Sequence, residues 1–119
     1  MIVAGLGFRR GCLADDIVQL VHMAQDWAGC MTGSLAAPDW KRGEAELYIA
    51  ATRLGLPIAF VGRPALATVQ PRCPTRSAVA ERETGVASVA EGAALAASGG
   101  RLLLARIAHG GVTCALAGP

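Results

Sequence analysis

The stretch Met1-Ile2-Val3-Ala4-Gly5-Leu6-Gly7-Phe8-Arg9-Arg10-Gly11 runs from a short apolar strand into a turn with glycine at positions 5, 7 and 11. Beyond it Ile17, Leu20, Val21, Ala24 and Ala28 recur at helical spacing. Asp15 and Asp16 suit the first turn of that helix, and Gly29 suits its C-cap. Strand, glycine turn and amphipathic helix together predict the opening of an α/β domain. The turn admits two readings. Gly5 and Gly7 can simply make a tight strand-to-helix corner, or they can let main-chain N–H groups approach an anion. Arg9 and Arg10 sit badly at the positive end of a helix unless an anion lies between, which favours the second reading.

The same signals continue along the chain. A second, weaker strand covers Thr32 to Ala37 and ends at Pro38, and Leu47, Ala50, Ala51 and Leu54 mark a helix stopped by Gly55 and Pro57. Pro57 to Val61 reads as a third strand, and Arg63 to Val69 as one or two helical turns. Gln70 to Ser77 holds two prolines, two arginines and a cysteine, the composition of a mobile loop and a candidate lid. Ala78 to Thr84 reads as a short helix closed by Gly85. Val86, Val89, Ala90, Ala93, Ala94 and Ala97 trace another helix, with Ser88 and Glu91 spaced as a capping box. Leu102 to Ala105 and Val112 to Ala117 are the last strands, joined through His109-Gly110-Gly111. That short connection forces an antiparallel pair, whereas helix-separated strands run parallel. The expected fold is a single three-layer α/β/α domain over residues 1–119, with a mixed, mainly parallel sheet of about five strands.

Composition narrows the function. Apolar residues make up 53% of the chain and aromatics 4%, so the core must be built from Ala, Leu and Val. A net charge of +2 argues against nucleic acid and membrane surfaces as partners. The four cysteines form no C-x-x-C pair and no zinc spacing, which suits free thiols in the cytoplasm and predicts no metal site or cofactor. The N-terminus has no signal-peptide pattern, and no apolar run reaches the ~20 residues needed to cross a bilayer. Ser88 and Thr113 have no base visible beside them, and Glu91 reads first as a capping partner.

Four stretches in order resemble one family, the cobalamin-biosynthesis proteins of the CobE type, which are similar to the C-terminal domain of CbiG. They are Gly5-Leu6-Gly7-Phe8-Arg9-Arg10-Gly11, Ala37-Pro38-Asp39-Trp40-Lys41 with Glu44, Gly85 to Glu91 with Ala93-Ala94-Leu95, and Gly110 to Ala117. Carried over residue by residue, the resemblance implies a ligand site of Gly5, Gly7, Arg9, Arg10, Gly11, Asp39, Lys41, Ser88, Glu91, Arg106, Gly110, Gly111 and Thr113. Arg106 stands where the family usually has lysine, which keeps the charge but excludes an amine nucleophile. The implied ligand is a precorrin-type tetrapyrrole, met around the ring-contraction stage of the aerobic pathway, and other pathway enzymes are implied as partners. Full-length CbiG opens a precorrin lactone, so a hydrolase using Glu91 and Thr113 stands as an alternative. A small nucleotide-binding or regulatory α/β module is a second alternative.

Overall fold

Side chains alternate along a strand, and the first strand uses that alternation to divide the protein. In β1 (Val3–Phe8), Ala4 and Leu6 point to one face, while Val3, Gly5 and Gly7 point to the other. A computed structural model describes all 119 residues and shows what covers each face. On the first lie α1 (Ala14–Ala28) and α2 (Ala45–Leu54), whose Ile17, Leu20, Val21 and Leu47 join Leu6, Leu35 and Leu116 in the largest buried cluster. On the second lie α3 (Arg63–Val69) and α5 (Val89–Ser98), packed through Leu66, Val69 and a run of alanines. The three-layer expectation holds.

The sheet also contains β2 (Ser34–Pro38), β3 (Ile58–Val61), β4 (Arg101–His109) and β5 (Val112–Gly118), in the order β3-β2-β1-β5-β4. The β1–β2 and β2–β3 pairs are parallel, and β5 runs antiparallel to both β1 and β4. Four strands therefore share one direction and β5 alone opposes them, although the pairings divide evenly. The chain crosses from one sheet edge to the other between β3 and β4, through α3, the short α4 (Ala78–Thr84) and α5.

Helix ends follow the glycine signals. Gly29, Gly55, Gly85 and Gly99 all close helices in the left-handed region, with φ of 67°, 69°, 80° and 65°. Two expectations need correction. β4 is much longer than Leu102 to Ala105, because its irregular ladder hides the alternation from a sequence reading. Gln70 to Ser77 is a pinned segment: it begins as a 3₁₀ turn, buries Cys73 and is tied down through Gln70, Arg72 and Thr75.

Candidate functional site

The carboxyl ends of the parallel strands open into a cleft of about 920 Å³. Each strand end delivers a cation to it. Arg9 and Arg10 follow β1, Lys41 follows β2, Arg63 follows β3, and Arg106 lies late in β4. A strand spacing of about 4.8 Å puts roughly 19 Å between the β3 and β4 ends of this row. Against these five cations the cleft presents one carboxylate, Glu83 on α4, which roofs the opening with Val79, Ala80 and Thr84. The weak net charge of the chain thus conceals a concentrated local field.

The cations are held in two ways. Lys41 lies 4.9 Å from the centre of the Phe8 ring and 3.7 Å from Glu44, and Arg63 lies 4.2 Å from the Trp40 ring and donates to the Thr84 carbonyl. These two are braced. Arg9, Arg10 and Arg106 are exposed, and none of them enters an ion pair, so their guanidinium forks are available to a carboxylate. Ser88, Val89 and Ala90 bring the start of α5 to the cleft wall. The Ser88 hydroxyl caps nothing there, so the first-turn amides of α5 lack a side-chain acceptor.

The expected residues separate on inspection. Gly7, Arg9, Arg10, Lys41, Ser88, Arg106, Gly111 and Thr113 line the cleft together. Gly5 does not. A Cβ there would lie 2.5 Å from the Ala94 nitrogen and closer still to the Ala90 carbonyl oxygen, so this glycine exists to let α5 lie on β1. Gly11, Asp39 and Gly110 also lie outside the lining. Gly11 turns the chain at φ +86°, and Gly110 turns the hairpin tip against Asp16. Both helices were expected, but the place of Arg63 and α4 at the cleft was not found from sequence, since a helix-opening arginine carries no sign that β3 will set it beside Trp40.

Glu91 needs the largest correction. It is fully buried, away from the lining, and its carboxylate accepts four hydrogen bonds. Oε1 accepts from Thr75 N at 3.0 Å and Ser88 Oγ at 2.8 Å; Oε2 accepts from Thr75 Oγ1 at 2.9 Å and Arg106 N at 3.0 Å. This is no capping box, because the Ser88 amide goes to Gln70 Oε1 instead. Burial alone would raise the Glu91 carboxyl, but these donors, led by the Arg106 and Thr75 amides, outweigh it and hold the group below its ordinary range. Thr113 donates its hydroxyl to the Gly7 carbonyl at 3.1 Å. All four cysteines are unpaired thiols; burial raises Cys12 and Cys73 and pushes Cys114 up to about 12.

The family model described as "Cobalamin synthesis G C-terminus" matches residues 2–117. The chain belongs to the CbiG C-terminal family. It is accordingly a protein of cobalamin biosynthesis. Protein CobE of Sinorhizobium sp is 33% identical over 123 residues, covering 99% of this chain and 80% of the relative. A crystal structure of CobE, a protein from the cobalamin (vitamin B12) biosynthetic pathway, superposes with a TM-score of 0.91 at 40% identity, covering 98% of this chain and 89% of that one. The cobalamin biosynthesis protein chiG from Agrobacterium tumefaciens superposes at 0.78 with 32% identity, covering 99% and 98%. No helix of this CbiG C-terminal domain is long and apolar enough to cross a membrane.

Proposed function

We propose that the cleft binds a precorrin-type tetrapyrrole by its peripheral acetate and propionate groups, around the ring-contraction stage of the aerobic route. The observation that carries this reading is the row of five cations along the strand ends, facing a single carboxylate. A macrocycle ringed with carboxylates can engage several cations at once. Each charge-assisted hydrogen bond contributes ~1.5–3 kcal/mol, so micromolar affinity after ordering costs needs most of the row engaged at once, together with burial of the ring's apolar surface. The braced pair Lys41 and Arg63 gives a fixed rim, and the unpaired arginines adapt to the ligand.

The role is binding rather than hydrolysis. Both candidate catalytic groups are already committed, Glu91 as a four-fold acceptor below the surface and Thr113 as a donor to Gly7. Handing an intermediate to another pathway enzyme is the use such a site serves. Titrating the purified protein with precorrin-type macrocycles at low and moderate salt tests this. Micromolar binding that weakens with salt, without spectral conversion, is expected. Salt-insensitive binding, or turnover of the macrocycle, would replace the carboxylate-reading carrier with another mechanism.

A further inference from the structure

The β4–β5 ladder shifts register twice, between Leu102 and Leu104 and again between Leu104 and Ile107, and the second shift decides which face Arg106 takes. Leu104 pairs with Leu116 and Ile107 with Cys114, so three steps along β4 match two along β5, and Ala105 and Arg106 together oppose Ala115. Paired residues share a face, and Leu116 and Cys114 belong to the α1 face. Continued unbroken from the Leu104–Leu116 pair, the ladder would set Arg106 opposite Cys114, on that face, and would turn Ile107 away from it. With the bulge, Ile107 packs into the α1 cluster and Arg106 lines the cleft.

A bulge leaves a strand amide without a ladder partner, and here that amide is Arg106 N, donated to Glu91 Oε2. The other bonds of the same carboxylate fasten Thr75 and Ser88, so one buried side chain joins the bulge, the pinned 70–77 segment and the start of α5. We infer that Glu91 is a positioning residue for the cleft: it holds the β4 bulge and so aims Arg106 at a bound carboxylate. This rests on the binding reading of the cleft given above.

Glutamine does not substitute. Each carboxylate oxygen accepts one backbone N–H and one hydroxyl. A hydroxyl can turn and accept from an amide group, but a backbone N–H cannot, so either orientation of glutamine orphans Thr75 N or Arg106 N. Aspartate keeps the charge and loses the reach. Loss of binding in Glu91→Gln therefore does not by itself identify a proton donor.

The test is a double-mutant cycle on the affinity for a metal-free corrin with free acetate and propionate arms. Arg106→Ala, Glu91→Gln and Glu91→Asp are each expected to weaken binding by about tenfold. Adding either Glu91 change to Arg106→Ala is expected to cost less than about twofold more. Equal losses with and without the Arg106 side chain overturn the inference, as does wild-type affinity in Glu91→Asp. Aspartate serves the cycle if the glutamine variant fails to fold. Amide exchange of Arg106 in the ligand-free wild-type protein is independent of any corrin. Slow exchange, accelerated about a hundredfold or more in Glu91→Asp, is expected, and fast exchange in the wild type overturns the inference. A corrin that fails to bind the wild-type protein defeats the cleft reading and the aiming of Arg106 with it, while the exchange rate still decides whether Glu91 holds the bulge.

Discussion

On one face of the sheet α1 and α2 meet it through Ile17, Leu20 and Leu47 against Leu6, Leu35 and Leu116; on the other, α5 lays Ala90, Ala93 and Ala94 against Gly5, Ala36 and Ala117. The first contact is between side chains, which can shift rotamer when a neighbour changes. The second brings backbone close to backbone and has no such slack. The close face is also the one that carries the site. Because α5 lies directly on β1, its first turn reaches the cleft and Glu91 reaches both the β4 bulge and Thr75. Small residues here set a distance, and that distance determines where the functional groups fall.

The largest expected effect attacks that distance. Gly5→Ala puts a methyl group into the α5 backbone, where no side chain can move aside, and should destabilise the protein by ~3 kcal/mol or more in urea unfolding. Leu20→Ala, on the bulky face, should cost a comparable ~2–5 kcal/mol through its cavity. The two should differ in function: the remaining folded Leu20 variant keeps corrin affinity, whereas the folded Gly5 variant loses it because α5 has moved. Equal binding by both would dissolve the distinction between the faces.

Next come the unpaired arginines, where the reverse pattern is expected. Arg9→Ala with Arg10→Ala removes two exposed, unpartnered guanidinium groups, so stability should stay within about 0.5 kcal/mol of wild type. Corrin affinity should fall at least about tenfold, and its salt dependence should flatten. Wild-type affinity in a folded double variant would return the row of cations to ordinary surface charge.

How much of this was legible in the sequence follows the range of the interactions involved. Helices and their stops depend on neighbours a few residues away, so the stripe from Ile17 to Ala28 and the capping glycines could be read directly. Arg9, Arg10, Lys41 and Arg106 could be gathered because strand ends share an edge. Gly5 could not be told from Gly7, since glycine that admits a helix and glycine that lines a cleft look the same until the helix is placed. The Glu91 donors lie 16 and 15 residues away on either side, at Thr75 and Arg106, whereas the Ser88–Glu91 spacing suggested a purely local cap. Arg63 was missed for the same reason, because its partners Trp40 and Thr84 meet it only through the fold.

Acid provides a third, smaller test, specific to the close face. The folded Glu91 carboxyl sits below its ordinary range, so on acidification the unfolded chain takes up the proton first. The stabilisation is fully present above the ordinary carboxylate range, about pH 4 to 4.5, and fades as pH falls from there through the depressed folded value. Urea midpoints taken downward from pH 6 should therefore fall more steeply in the wild type than in Glu91→Gln, which has lost this titration. Parallel curves would mean that Glu91 titrates in the folded protein as it does in the unfolded chain.

The smallest expected effect separates binding from catalysis. Thr113 lies on the cleft wall and gives its hydroxyl hydrogen to the Gly7 carbonyl, so in this arrangement the oxygen has no base to activate it. Thr113→Val is nearly isosteric and removes that one bond, which should cost about 1 kcal/mol in stability. Gly7 carries no side chain to crowd the added methyl beside it. Corrin affinity should change by less than about threefold, because the carboxylate contacts come from the cations rather than from this hydroxyl. Were the valine variant to bind a macrocycle normally yet abolish a conversion that the wild-type protein performs, Thr113 would be a reacting group. The close-packed face would then carry chemistry as well as geometry.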